Sequence, residues 1–339
     1  MIKNKTGIFF ILSIILAGWT ACTPESGTKK IRFFGEAQGT YYALTYYADD
    51  TLVTQQQIDS LLTAFDLSAS IWVKQSVISR INNNDPDVAP DRDFINIFRI
   101  AEKVSDETDG AFDITVGPLV EAWGFGFENR ADVNRRMIDS LLPLANYRAV
   151  RIVDGKVIKD NPGIQIDYNA IAQGYSVDLT GGFLLKNGIR NFLIDIGGEL
   201  LAKGTKPDGS LWVVGIEKPS KEMDSERELK ATLKITDKAV ATSGNYRKYY
   251  EIDGVRYSHT INPKTGYPVR HSLLSATVIA DSAAIADAYA TAFMVMGLEK
   301  ARTFLVSHPE MEAFFIYQGK DRQMKTYATE GIADRIVDR

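Results

Sequence analysis

The sequence predicts an α+β protein in which the sheets are largely antiparallel. Strand patterns mostly follow one another along the chain, helical patterns are few, and two strand pairs are joined by the short turns Asp154-Gly155 and Asp253-Gly254. Antiparallel strands can be joined by two-residue turns, whereas parallel strands need long crossovers. This order therefore favours α+β over a doubly wound parallel sheet.

Residues 1–21 have the pattern of a signal peptide. Lys3 and Lys5 precede an apolar run over 7–18, which is shorter than the about 20 residues of a membrane-spanning helix. The run ends at small residues before Cys22, the only cysteine, as in lipoproteins that are cleaved and acylated at that residue. The alternatives are a simple secretory signal and an uncleaved membrane helix.

The remainder divides into a tether and one folded domain. Residues 22–30 are polar, lack periodicity and contain Pro and Gly, which is typical of a linker. The folded domain is predicted over 31–339, since no internal linker divides it. Lipidation at Cys22 predicts a protein anchored in the bacterial cell envelope and facing the periplasm.

Five segments have the periodicity of amphipathic helices. Thr54 can cap the first of them, and a Gly or Pro residue follows each of the last three. These helices are predicted over 55–68, 94–107, 171–185, 282–296 and 298–307.

Seven segments have strand patterns, being rich in β-branched and aromatic residues. Two of them are predicted hairpins, over 149–159 and 246–261. The others lie at 192–196, 211–217, 229–235, 273–280 and 312–318.

Composition and motifs exclude several classes of function. The 339 residues carry a formal net charge of −4 with no basic block, which argues against a nucleic-acid partner. One Cys and three His make a Cys/His zinc site very unfavourable. The chain also lacks the glycine-rich nucleotide-loop, nucleophile-elbow and zinc-hydrolase motifs.

Four glycine-polar clusters lie between the predicted elements, at 109–119, 167–174, 195–199 and 241–246. Glycine lets backbone N–H groups approach phosphate or carbonyl oxygens closely. Each cluster alone is best read as a structural turn. Four in one chain favour a ligand-binding crevice.

Two further segments carry candidate catalytic groups. Asp287 and Thr291 lie four residues apart on a predicted helix, so both project from one face and could hold Mg²⁺. His259, at the end of a hairpin strand, is a candidate base. The alternatives are a helix-terminal carboxylate with a back-bonded threonine, and a hydrogen-bonded structural histidine.

Taken together, these motifs resemble those of the FAD:protein FMN transferases, the ApbE-like lipoproteins. The resemblance covers about residues 35–318 and follows the family's motif order. It rests on Asp109-Gly-Ala-Phe-Asp113, Val116-Gly-Pro-Leu-Val120, Trp123-Gly-Phe-Gly126, Thr242-Ser-Gly, His259-Thr-Ile-Asn-Pro-x-Thr-Gly266 and Ala286-Asp-Ala-x-x-Thr291.

The resemblance implies a T-fold-like α+β arrangement with an added helical part. It also implies an enzyme that uses Mg²⁺ to transfer FMN from FAD to a threonine hydroxyl of an exported protein, releasing AMP. His259 would be the base, and the metal ligands would be Asp287 and Thr291 with the carbonyls of Ala170 and Ala290. The flavin contacts would come from Trp72, Ala111, Phe112, Asp113, Asp167, Gln173 and Ile261.

By the same resemblance, the acceptors are exported flavoproteins such as subunits of Na⁺-translocating NADH:quinone reductase or Rnf-type complexes.

Gln38 and Gln173 depart from the family, which commonly has Met at the first position and Lys or Glu at the second. Transfer to water instead of threonine would make the chain an FAD pyrophosphatase. A periplasmic FAD-binding lipoprotein is the alternative outside enzymes.

Overall fold

The computed structural model describes residues 28–125, 133–219, 228–244, 249–252, 255–258 and 260–338. The strands there are β1 Lys29–Ala37, β2 Thr40–Ala48, β3 Val150–Val153, β4 Lys156–Lys159, β5 Asn191–Ile196, β6 Glu199–Lys203, β7 Trp212–Glu217, β8 Leu229–Ile235, β9 Lys238–Gly244, β10 Tyr249–Ile252, β11 Val255–Ser258, β12 Leu273–Ala280, β13 Glu312–Gln318, β14 Met324–Ala328 and β15 Ile336–Asp338. The α-helices are α1 Gln55–Ala69, α2 Val77–Asn82, α3 Arg92–Glu107, α4 Gly117–Ala122, α5 Arg135–Leu141, α6 Ala172–Lys186, α7 Ala283–Met296, α8 Leu298–Val306 and α9 Glu330–Ala333.

An eight-stranded sheet in the order β1-β2-β5-β6-β9-β12-β13-β14 forms the centre of the fold. All of its pairings are antiparallel. A three-stranded sheet, β15-β8-β7, and the hairpins β3-β4 and β10-β11 are also antiparallel. The α+β prediction with largely antiparallel sheets is thus confirmed.

Both faces of the central sheet are covered. Successive residues of a strand point to opposite faces, so Val278 of β12 packs with the helices and Ile279 packs toward the smaller sheet. Phe293 of α7 and Phe315 of β13 lie in the core on the helical side, and Trp212 of β7 lies on the other. The helices are therefore held against one face of the sheet, where α7 crosses β9 and β12.

Most of the predicted elements are present. The strands predicted over 229–235, 273–280 and 312–318 coincide with β8, β12 and β13. The helix predicted over 94–107 begins two residues earlier, at Arg92, because Asp91 accepts a hydrogen bond from the Phe94 N–H and caps the helix.

The first hairpin was not predicted. β1 begins at Lys29, within the stretch assigned to the tether, and turns into β2 through Gln38 and Gly39, both with positive φ (55° and 71°). The turn of the hairpin predicted over 246–261 lies outside the described residues, although its strands β10 and β11 are present. None of the helices in the described ranges is long and apolar enough to cross a membrane.

Helices α6 and α7 approach each other closely near their N-termini. A Cβ atom at Gly174 would lie 2.3 Å from the Ala283 carbonyl oxygen and 2.9 Å from the Ala284 Cα. Both neighbours are backbone atoms, which cannot move aside as a side chain can. Only glycine therefore fits at this crossing.

We expect Gly174→Ala to destabilise the fold by about 1–3 kcal/mol or more, because the helices must separate. Gly182→Ala is the matched control, since Gly182 lies on the same helix and a Cβ atom there would meet nothing within 4 Å. That variant should be stabilised by about 0.5–1 kcal/mol through helix propensity. Urea unfolding of both variants checks this, and equal stabilities would contradict the close approach.

Candidate active site

Two turns and one strand end lie at the same end of the central sheet, near the first turn of α6. They are the Gln38-Gly39 turn, the Gly197-Gly198 turn between β5 and β6, and the end of β9 at Ser243 and Gly244. The Gln173 side chain packs directly over Gly197, where a Cβ atom would lie 2.3 Å from Nε2. Three of the four predicted glycine-polar clusters thus meet at one place.

Asp287 lies on α7, facing the start of α6. Its side chain is 7% exposed, and its Oδ2 accepts a hydrogen bond of 3.2 Å from the Gly174 N–H. Burial raises the pKa of Asp287 to about 7, although the bond from Gly174 opposes the rise. One turn later, the Thr291 hydroxyl lies 3.0 Å from the Ser243 hydroxyl of β9.

The Ala170 carbonyl lies just before α6. The Gly174 N–H donates to Asp287 rather than to this carbonyl four residues earlier. Ala290 is fully buried on α7, between Asp287 and Thr291. The available donors are therefore carboxylate, hydroxyl and carbonyl oxygens, the types that Mg²⁺ prefers.

A dedicated carboxylate cage is not present in the described part of the chain, where no three Asp, Glu, His or Cys side chains cluster as metal ligands. Mg²⁺ is usually held by one or two carboxylates together with substrate phosphates and water. The residues around Asp287 therefore fit a Mg²⁺ ion whose remaining ligands come from substrate phosphates and water.

Glu199, the first residue of β6, is a second buried carboxylate near this position. Its side chain is 8% exposed, and its Oε2 accepts no hydrogen bond. Burial raises the pKa of Glu199 well above its ordinary value, and the nearby charge of Asp287 raises it further. Glu199 was predicted only as the last residue of a glycine-polar cluster.

Asp178 on α6 was not predicted, although it holds the N-terminus of α7. Its carboxylate accepts hydrogen bonds from the Ser282 hydroxyl at 2.6 Å and from the N–H groups of Ala283 and Ala284 at 2.8 and 2.9 Å. Since Asp287 of α7 in turn accepts from Gly174 of α6, each helix caps the other. The only sequence signal is an acid within a mostly apolar helical pattern.

A cavity of about 190 Å³ lies beside the segment that leads into α6. Trp72, which is 58% exposed, and Asp167 both line it, together with Gly117, Phe125 and Asn169. Burial raises the pKa of Asp167, while hydrogen bonds from Asn169 oppose the rise. Two residues predicted to contact flavin thus share one cavity, and Ala170 follows directly after its wall.

The cavity wall is fixed by an asparagine and a lysine that were not predicted. Asn82 of α2 exchanges hydrogen bonds with the Ile166 backbone, at 2.7 Å to its N–H and 2.8 Å to its carbonyl. Lys159 donates to carbonyl oxygens on both segments, including those of Ile81 and Ile164 at 3.2 and 2.9 Å. These bonds join α2 to the segment that leads to Asp167.

The Ala111-Phe112-Asp113 turn is buried. Phe112 belongs to the main core. Asp113 accepts hydrogen bonds from the Thr115 N–H and hydroxyl at 2.7 and 2.6 Å and from the Tyr147 N–H at 3.0 Å. Burial raises the pKa of Asp113 despite these bonds. The side chains of Phe112 and Asp113 therefore serve packing and turn geometry, so a ligand would meet backbone groups here.

His259 lies outside the described residues, but the segment after it is well defined. Ile261 is buried in a small core with Leu119 and Trp123 and bridges to Pro268. The Trp123 indole N–H donates to the Gly266 carbonyl at 2.8 Å. The segment that follows His259 is thus fixed to α4 and to Trp123 directly after it, and α4 also lines the cavity.

The model of the ApbE family matches residues 38–315. Relatives named FAD:protein FMN transferase include one from Vibrio cholerae serotype O1, 36% identical over 81% of this chain and 84% of its own length, and one from Escherichia coli K12, 34% identical over 79% of each chain. The solved flavin transferase ApbE from Vibrio cholerae superposes with a TM-score of 0.80 at 33% identity, covering 90% of this chain and 98% of its own.

We expect Asp178→Asn to destabilise the protein by about 1–3 kcal/mol, because an amide replaces a charged acceptor of three hydrogen bonds at a helix N-terminus. The matched control is Asp139→Asn, whose carboxylate is 62% exposed and pairs with Arg135 on α5. That change should cost less than about 0.5 kcal/mol. Thermal unfolding compares them, and equal losses would show that the reciprocal caps contribute little.

Proposed function

The chain belongs to the ApbE family, and from this we propose that it is an Mg²⁺-dependent FAD:protein FMN transferase. In this proposal it transfers FMN from FAD to a threonine hydroxyl of an exported protein, forms a phosphodiester and releases AMP. The observation that carries the proposal is the group of oxygen donors around Asp287, Thr291 and Ala170, directly beside the cavity that contains Trp72 and Asp167.

Asp287, Thr291 and the carbonyls of Ala170 and Ala290 would hold the cation. When bound, Mg²⁺ would neutralise charge that develops on the pyrophosphate oxygens during transfer. The N-terminus of α6 lies at the same point, and N–H groups at a helix start favour anions. Gln173, in its first turn, would add neutral hydrogen-bond donors where the family commonly has a charge.

The cavity offers complementary groups for a flavin. The exposed Trp72 ring can stack on a planar ring system, while Asp167 supplies a polar contact in the cavity. The Ala111-Phe112-Asp113 backbone would add polar contacts from outside the residues that line the cavity. Ile261 would contribute an apolar contact. Phe112 and Asp113 support this wall from within the core.

His259 would accept the proton of the acceptor hydroxyl, which makes the oxygen a better nucleophile. The oxygen attacks the phosphorus on the FMN side, the bond to the AMP oxygen breaks, and AMP leaves. The anchored segment after His259 supports this role, because a base must be held in position to contribute.

We further propose that the protein works in the bacterial cell envelope, anchored by a lipid on Cys22 and facing the periplasm. The apolar run before Cys22 supports this location. Exported flavoproteins would then be the acceptors, of which subunits of Na⁺-translocating NADH:quinone reductase and Rnf-type complexes are the candidates.

The function is tested by incubating the protein with FAD, Mg²⁺ and an acceptor domain. We expect flavin fluorescence on the acceptor band after denaturing electrophoresis. Asp287→Asn should lower transfer by about 10–100-fold or more, because losing a residue that merely supports a metal ligand already costs that much. A higher Mg²⁺ concentration should partly restore transfer. Asp139→Asn serves as the control. Free FMN and AMP without labelling would identify a pyrophosphatase, and bound, intact FAD would identify a binding protein.

We expect His259→Ala to keep FAD binding and to lose transfer by about 10²–10⁴-fold, the usual contribution of a positioned base. Calorimetry with FAD separates binding from turnover. His271→Ala is the control histidine, since its ring nitrogen Nε2 contacts the Met294 carbonyl at 2.7 Å, within the fold. Wild-type turnover of the His259 variant would leave that residue a structural role only.

A further inference from the structure

Glu199 is a buried carboxylate whose position the fold does not explain. Its side chain is 8% exposed, and Oε2 is enclosed without a hydrogen-bond donor. Burying a charged oxygen without a partner is costly, so such groups are normally paired or bind a cation. Within the part of the chain that the structure describes, no Lys, Arg or His forms an ion pair with Glu199 or with Asp287.

Two independent connections bring Glu199 to the Asp287 site. Gln173 packs over Gly197, in the turn that leads into Glu199, and the next residue, Gly174, donates to Asp287. In addition, β6 pairs with β9, where Ser243, the residue before the strand's last, lies beside Thr291. Glu199 therefore lies between α6 and β9, near the Asp287 carboxylate and the Thr291 hydroxyl of α7.

We propose that Glu199 is a second anionic group of the cation site, where it accepts a hydrogen bond from a water molecule that the cation retains. This inference rests on the proposed function, since it assumes the Mg²⁺ site at Asp287. Mg²⁺ gives up its waters reluctantly, and those waters need acceptors. Outer carboxylates of this kind orient the first shell and tighten metal binding.

The two carboxylates have different tasks in this arrangement. Asp287 is oriented by the Gly174 N–H and offers its second oxygen to the cation. Glu199 has no such donor on Oε2 among the described residues, so a water of the hydrated cation would supply one. The cost of burying Glu199 in the metal-free protein is thereby recovered when the cation binds.

The test measures Mn²⁺ binding to the EDTA-treated full chain by electron paramagnetic resonance, with and without FAD. We expect Glu199→Gln to weaken Mn²⁺ binding about 10–100-fold. Glu299→Gln, an exposed change on α8, is the matched control and should leave the affinity unchanged. Glu199→Asp, which keeps the charge, should bind Mn²⁺ more tightly than the glutamine variant.

Thermal unfolding gives a second readout that does not depend on activity. Without metal, Glu199→Gln should melt no lower than the wild type, because an amide is cheaper to bury than a carboxylate beside Asp287. The rise in melting temperature produced by Mn²⁺ should be smaller than in the wild type. A purely structural Glu199 would instead give a lower melting temperature without metal.

Unchanged Mn²⁺ affinity of folded Glu199→Gln would overturn this inference and leave the proposed function intact. An aspartate variant that binds no better than the glutamine variant would also overturn it, because the charge would then not matter. If the wild type itself bound no Mn²⁺ in the presence of FAD, the metal-dependent function would fail together with the inference.

Discussion

The reciprocal capping of α6 and α7 is the constraint on which the candidate site depends. Asp178 of α6 accepts hydrogen bonds at the N-terminus of α7, while Asp287 of α7 accepts one from Gly174 in the first turn of α6. The helices must be close for both bonds to form, and the lack of a side chain at Gly174 permits that approach. The position of Asp287 is therefore set by the crossing itself.

The central sheet places further residues of the candidate site around the crossing of α6 and α7. α7 packs on β9 and β12, and its register on the sheet brings Thr291 to Ser243. The β5-β6 turn and the Gln38-Gly39 turn approach α6 from the other side, where the Ser176 hydroxyl donates to Gln38 at 3.2 Å. In an antiparallel sheet the end of one strand lies beside the start of its neighbour, so glycine-rich segments that are distant in the sequence meet at this end. The same topology encloses Glu199.

Local sequence signals predicted most helices and strands, whereas long-range packing decides which side chains meet at the site. Thr54 marks a helix start because its side chain caps the next turn, which the sequence alone predicts; Ser282, predicted as the first helical residue, caps α7 in the same way. The β1-β2 hairpin was missed because its turn has Gln38 at a position of positive φ, where Asn or Asp is expected. Asp287 and Thr291 were found from their spacing on one helix. Asp178 could not be found, because its partner Ser282 lies 104 residues away.

Hydrogen-bond satisfaction separates the buried carboxylates of this protein into two kinds. Asp113 and Asp178 have raised pKa values because of burial, yet both oxygens of each accept hydrogen bonds from the surrounding fold. Burial also raises the pKa of Asp287 and of Glu199, but Glu199 Oε2 has no donor and Asp287 accepts only from Gly174 among the described residues. Burial alone therefore does not distinguish structure from function. The Glu199 Oε2 atom, which accepts no hydrogen bond, needs a further explanation, because buried polar atoms are normally paired.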